Sequence, residues 1–274
     1  MPQISAQDQT QLHVDDTGGD GRPVVLIHGW PLSGESWADQ VPALTDAGYR
    51  VVSYDRRGFG RSDKPAAGFD YDVLAGDLKC VLDEFELTDA TLVGFSMGGG
   101  EVARYIAVYG EERLHSVVFA SAVPPFLLKS DDNPDGPLTE EAAGGMKSGL
   151  EQDRDAFFDE FTTAFFSAGD DLKVTEEQRQ EAIRMCHQSD QAAALGTMAA
   201  FGTTDFRDDL PKVTVPALVI HGDSDGTVPF EGSGKRTHEA IDGSELVLVE
   251  GAPHGLNTSH ASDFNRALLE FLDR

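Results

Sequence analysis

The run Thr91-Leu92-Val93-Gly94-Phe95-Ser96-Met97-Gly98-Gly99-Gly100 constrains this chain more than any other stretch. Apolar and β-branched residues lead into Gly94, and a helix-like apolar periodicity follows the glycines. The pattern predicts a strand, a sharp turn and a helix, with Ser96 at the apex of G-x-S-x-G, the sequence form of a nucleophile elbow. So tight a turn strains the serine backbone, and a side chain at 94 or 98 would collide with a neighbouring strand or helix. A hydroxyl is thereby held above a sheet, beside the positive end of a helix dipole. Taken alone, the motif also describes a Gly-rich turn with an incidental serine. The rest of the chain decides.

Pro23-Val24-Val25-Leu26-Ile27 is a continuous apolar run, the mark of a strand buried on both faces, and it ends in His28-Gly29-Trp30-Pro31. A helix is expected over 35–47, then a second buried strand, Tyr49 to Tyr54, ending in Asp55-Arg56-Arg57-Gly58. Residues 72–86 carry apolar positions at helical spacing. The elbow follows, then a strand over His115–Ala120. Residues 11–15 fit an edge strand. Strand and helix alternating with short connections predicts a parallel sheet covered on both faces, with working residues on loops beyond the carboxyl ends of its strands. From 123 to 205 the strand pattern stops and helix-like segments rich in phenylalanine take over. Strands resume at Pro216–Ile220 and Glu245–Val249, and a helix from Ala261 to Leu272 closes the chain. The 274 residues therefore divide into a core of 1–122 and 206–274 and a helical lid, 123–205, inserted between sheet strands. Most of the lid phenylalanines are expected to hold it together, with some roofing a pocket.

A serine hydroxyl needs a base, and the base an orienting acid; after an elbow they follow in the order serine, acid, histidine. Of eight histidines, His254 alone sits on a strand-end loop in the right order. His13, His115, His238 and His260 lack such a position, His187 falls in the lid, and His221 and His28 come too early. The loop after His221-Gly222 offers two acids, Asp223 and Asp225. An oxyanion hole needs two backbone N–H donors. Met97, just after the nucleophile, supplies one, and Trp30 is the natural second, because Pro31 has no N–H.

Together, His28-Gly29-Trp30-Pro31-Leu32-Ser33-Gly34, Tyr54-Asp55-Arg56-Arg57-Gly58-Phe59-Gly60-Arg61-Ser62, Gly94 to Gly100 and His221-Gly222-Asp223-Ser224-Asp225 resemble the α/β-hydrolase superfamily. Within it they are similar to the cofactor-free (non-haem) haloperoxidase, or chloroperoxidase, branch and the related aryl esterases. The likeness spans both ends of the chain and is weak across the lid. It implies an α/β class of fold, the α/β-hydrolase fold, with a mostly parallel central sheet flanked by helices. It puts the triad on Ser96, Asp225 and His254 and the oxyanion donors on Trp30 and Met97, leaving Asp223 as a turn former. Trp30, Pro31, Phe126 and Val228 are expected to line the substrate pocket. The implied chemistry is ester hydrolysis through an acyl-enzyme, with a second activity that turns a carboxylic acid and hydrogen peroxide into a halide-oxidising peracid. No metal or other cofactor is expected. The same triad also suits a carbon–carbon bond hydrolase or a lactonase, and the fold alone would suit a non-catalytic ligand receptor.

Other signals are weaker. Asp131-x-Asn133-x-Asp135-Gly136 imitates a calcium loop, but its closing acid, Glu141, falls one position early. Asn257-Thr258-Ser259 is a glycosylation triplet next to His254, in a chain whose N-terminus lacks a signal-peptide pattern and is expected to be cytoplasmic. With 48 acidic and 21 basic residues the net charge is −27, which argues against nucleic acid and anionic membranes as partners. The expected partners are a small ester or carboxylic acid, with hydrogen peroxide and halide; oligomeric state is left open. Only seven basic residues are lysine. An acidic, lysine-poor surface suits surroundings in which high salt screens self-repulsion, as in a halophile; the alternative is an ordinary soluble acidic protein. Thermal stability that rises steeply in molar salt is expected on the first reading, and indifference to salt would sink it.

Overall fold

A computed structural model describes residues 3–274. Its strands are β1 (Gln3–Ser5), β2 (Gln11–Asp16), β3 (Pro23–Ile27), β4 (Arg50–Tyr54), β5 (Ala90–Phe95), β6 (Leu114–Ala120), β7 (Ser167–Ala168), β8 (Asp171–Leu172), β9 (Ala217–Gly222) and β10 (Glu245–Val249). Eight of them form one sheet in the order β1-β2-β4-β3-β5-β6-β9-β10, while β7 and β8 make a separate hairpin. β3, β4, β5, β6, β9 and β10 run parallel, and β1 and β2 extend the β4 side antiparallel. The helices are α1 (Gln40–Asp46), α2 (Tyr71–Glu84), α3 (Met97–Tyr109), α4 (Glu140–Gln152), α5 (Arg154–Phe166), α6 (Glu176–His187), α7 (Gln191–Thr203), α8 (Gly234–Ala240), α9 (Leu256–Ser259) and α10 (Ala261–Leu272). No helix among the described residues is long and apolar enough to cross a membrane.

Central strands that read as unbroken apolar runs are buried on both faces: every residue of β5 is buried, as are Val24 to Ile27 in β3. Three expectations are corrected. β2 is not an edge strand, because β1 pairs along its outer side. The helix expected over 35–47 is a 3-10 turn, Gly34–Trp37, followed by the shorter α1. Pro42 explains the break, since it cannot donate to the carbonyl of residue 38 and is tolerated only in the first turn of a new helix. The stretch 123–205 supplies helices α4 to α7, and also the β7–β8 hairpin, whose two-residue strands are too short to show a period.

The elbow is built by close approach. A Cβ on Gly94 would lie 2.6 Å from the Gly98 carbonyl oxygen, and one on Gly98 would lie 2.5 Å from that of Ile27. The first turn of α3 thus rests directly on β3 and β5. Ser96 between them has φ +54° and ψ −118°, the strained apex the motif demands.

A fully buried polar network lies beneath. The Arg56 guanidinium donates to Glu101 on α3 (Nε to Oε1, 2.6 Å), and neither side chain is exposed. Tyr54 Oη donates to the other Glu101 oxygen at 2.6 Å. Arg56 Nη2 also donates to the His28 carbonyl at 2.7 Å, so the end of β3, the end of β4 and α3 share one anchor. His28 Nε2 accepts from the Arg56 backbone N–H at 3.0 Å, leaving Nδ1 to carry the proton and donate to the Gly29 carbonyl at 2.8 Å. The neighbouring Arg57 and Arg61 tie their loop to Asp77 and Asp55. Burial, aided by the Arg56 charge, pushes the His28 pKa down to about 3. A histidine in an unfolded chain titrates near 6.5. Between these values the unfolded chain binds a proton that the folded one refuses, so His28 contributes stability above about pH 6.5 that is lost as pH falls toward 3. Replacing His28 by asparagine is expected to flatten the pH dependence of unfolding free energy between pH 4 and 6.5 by up to about 1.4 kcal/mol per pH unit, read from urea titrations; an unchanged slope would contradict the buried neutral imidazole.

Candidate active site

Three side chains meet at the carboxyl edge of the sheet. His254 follows β10 on the loop before α9, and its Nε2 lies 2.9 Å from Ser96 Oγ. Its Nδ1 lies 2.7 Å from Asp225 Oδ2, on the loop after β9. With the serine hydroxyl donating to Nε2, Nδ1 carries the imidazole proton toward the carboxylate. All three are almost wholly buried. The imidazole is packed between two rings, Phe95 at 5.2 Å and Phe165 at 5.0 Å edge-on. The Gly255 N–H further ties this loop to the Phe165 carbonyl at 2.9 Å. Its plane is fixed from both sides.

Asp225 accepts from three donors, with a second histidine close by. Its Oδ1 takes the Thr227 and Val228 N–H groups at 2.9 and 2.7 Å, its Oδ2 takes His254, and His221 Nε2 lies 3.3 Å from Oδ2. Burial by itself would raise its pKa. The electrostatic pull and hydrogen bond of His254, with His221 close beside it, overcome that and hold the carboxyl well below the usual range, so Asp225 stays ionised. Asp223 does different work: its Oδ1 accepts the Gly251 N–H at 2.7 Å and pins the β9 loop to the β10 loop.

His221 is the residue that sequence order passed over. It is fully buried, donates from Nε2 to the Val228 carbonyl at 2.8 Å, and leaves Nδ1 without a partner. It cannot serve Ser96, but it fixes the loop that presents Asp225. The sequence carried one signal for it, a histidine at a strand end four residues before the acid.

The Gly29 backbone runs against the nucleophile, since a Cβ there would lie 3.1 Å from Ser96 Cβ. The next N–H, that of Trp30, has no acceptor among the described residues. Met97 opens α3, where a first-turn N–H has no partner within its own helix. Two unpaired donors therefore flank Ser96, the arrangement that stabilises charge developing on a carbonyl oxygen. The Trp30 ring is held by Phe161 at 5.1 Å and Phe201 at 5.8 Å, and its Nε1 donates to the Ala194 carbonyl at 3.0 Å.

Ser96 and His254 open into a cavity of about 70 Å³, walled by Trp30, Val123, Leu127, Leu138, Met146, Phe161, Phe201 and Val228 among others. Trp30 and Val228 are where they were expected. Pro31 and Phe126 are not: Pro31 is carried away by the turn in which the Leu32 N–H bonds back to the Gly29 carbonyl at 3.1 Å, and Phe126 packs under the Arg207 guanidinium. Leu127, one residue on, takes the place foreseen for Phe126. Asn133 in the calcium-like loop is committed to the protein, donating to the Phe126 and Leu128 carbonyls and accepting from Arg236. Asn257 is likewise buried and donates to the Ser36 carbonyl.

Comparison with known proteins places the chain in a family. A family model described as the alpha/beta hydrolase fold matches residues 22–261. A crystal structure of bromoperoxidase from Bacillus anthracis superposes with a TM-score of 0.96 at 53% identity, over 99% of each chain. A non-heme chloroperoxidase of Kitasatospora aureofaciens is 42% identical over the whole of both chains. A bifunctional esterase/perhydrolase of Acinetobacter calcoaceticus is 36% identical over 99% of each. The chain belongs to the α/β-hydrolase fold family, in the branch that holds the non-heme haloperoxidases.

Proposed function

We propose that this protein is a serine carboxylesterase whose acyl-enzyme is opened by hydrogen peroxide as well as by water. The observation that carries the reading is the Ser96–His254–Asp225 relay at the closed end of an apolar cavity. His254 takes the Ser96 proton as Oγ attacks the ester carbonyl, and the oxyanion forms against the Trp30 and Met97 N–H groups. His254 then protonates the departing alcohol, leaving an acyl group on Ser96. Water attacking that acyl group, with His254 again as base, yields the carboxylic acid. Hydrogen peroxide attacking in the same way yields the peracid, which passes an oxygen atom to halide and returns the acid. Each step uses groups of this chain, and the reading needs no metal or haem. We read residues 123–205 as a lid over this site, with Phe161 and Phe201 as its roof.

A fluorophosphonate probe is expected to label the protein, and labelling should vanish in Ser96→Ala and in His254→Ala. Ester turnover in either variant is expected to fall by at least about 10⁴-fold. Labelling that survives Ser96→Ala would place the nucleophile elsewhere.

The choice between water and peroxide lies at Trp30. Hydrogen peroxide can donate a second hydrogen bond while it attacks, and a carbonyl aimed at the acyl carbon would favour it. Pro31 holds Trp30 in extended backbone geometry and so directs that carbonyl. Pro31→Leu is expected to lower the ratio of perhydrolysis to hydrolysis several-fold, measured by bromide oxidation beside acid release; an unchanged ratio removes the role.

A further inference from the structure

The cavity at Ser96 is small. Its 70 Å³ suits a short acyl group. Behind one wall lies a larger space, a groove of about 230 Å³ between α4 and α7. Leu138, Met146 and Phe201 line both spaces, so these three side chains form the partition between them. The groove lining is otherwise aliphatic, including Leu128, Leu195 and Met198, and its only polar side chains are Lys147 and Thr203. The Lys147 side chain is largely exposed and turned toward Glu151.

The helix that carries Met146, one of the three partition residues, is weakly held. α4 buries only Leu150. Gly144 and Gly145 face open space, with no atom within 4 Å of where a Cβ would sit. Each glycine weakens a helix interior relative to alanine. Few buried contacts and poor helix formers mark an element that opens locally at low free energy. Met146, unbranched and adaptable, sits on it at the wall.

We propose that the α4–α7 groove is the outer half of the acyl site and takes the distal carbons of a medium-chain, unbranched ester. The two spaces together suit a longer acyl chain than the cavity alone. Met146 and Phe201 move aside to admit it. The occupant follows from the groove's position: it shares its wall with the cavity that holds the reacting carbonyl, and it offers a long chain nothing but apolar surface. The assignment rests on the esterase reading above.

The test compares p-nitrophenyl acetate with p-nitrophenyl octanoate. Ala143 and Ala199 line the groove and not the cavity, so the double variant Ala143→Phe/Ala199→Phe fills only the groove. Its kcat/KM on octanoate is expected to fall ten-fold or more while that on acetate stays within two-fold. Met146→Ala, which thins the partition, is expected to raise the octanoate-to-acetate ratio several-fold. An octanoate-to-acetate ratio unchanged by filling overturns the proposal, and so does an equal loss on both esters. A filled variant that keeps the ratio but breaks a dimer in sedimentation also overturns it, assigning the groove to a second copy of the chain. Calorimetric binding of octanoate to Ser96→Ala, with and without the filling substitutions, separates this idea from the one beneath it. If neither ester is turned over by the unmodified protein, the esterase reading fails. The groove assignment then stands or falls on whether filling it weakens octanoate binding.

Discussion

The site depends on a buried ion pair that takes no part in the chemistry. Arg56 and Glu101 have no exposed side-chain surface, and stripping water from two charges carries a penalty of several kcal/mol per ion that only close geometry and further hydrogen bonds offset. Here those bonds come from Tyr54 and the His28 carbonyl. Burial raises the Glu101 pKa, with the Arg56 charge as the main opposing influence, so the carboxylate depends on its partners to remain a charge at all. One anchor thereby joins the end of β3, which leads to Trp30, to the helix that begins at Met97. The two N–H donors beside Ser96 belong to different elements, and a hole for an oxyanion tolerates little drift between them. The ion pair holds them in register from below.

The acid side of the site is organised by the same logic with the opposite outcome for charge. Asp225 is as buried as Glu101, yet it has three donors and a second histidine close by, and its carboxyl is held low. On the reading proposed above, an anion kept ionised in a dry setting favours a positive charge on His254 when Ser96 gives up its proton. His221 spends its single N–H mainly on the Val228 carbonyl and leaves its other nitrogen unpartnered. A buried polar atom without a partner costs roughly 1–3 kcal/mol, and the gain set against it is a rigid loop under the acid.

The helical segment contributes shape rather than reacting groups. Trp30 reaches from the core into the aromatic rings of α5 and α7 and bonds to the Ala194 carbonyl, so the oxyanion loop and the roof are one packed unit. A roof that excludes water strengthens every electrostatic contact beneath it, and its α4 wall sets how much acyl chain fits.

By itself the sequence determined the sheet, the elbow and the three residues that meet above it. Buried parallel strands are unbroken apolar runs, and a parallel sheet sends all its carboxyl ends to one edge. Chain order was therefore enough to bring Ser96, the β9 loop and His254 together. The choice of Asp225 over Asp223 needed the family likeness, because both stand on the same loop. Tertiary structure decided what local pattern does not encode. Whether β2 is an edge depends on a three-residue strand too short to read. Whether Phe126 or Leu127 faces the cavity depends on the direction of one irregular turn. His28, Arg56, Glu101 and His221 sit in ordinary strand, loop and helix positions, and their roles come from partners that lie 28, 45 and 7 residues away. Contacts of that kind exist only once the sheet has closed, because folding, and not sequence spacing, sets which buried polar groups find each other.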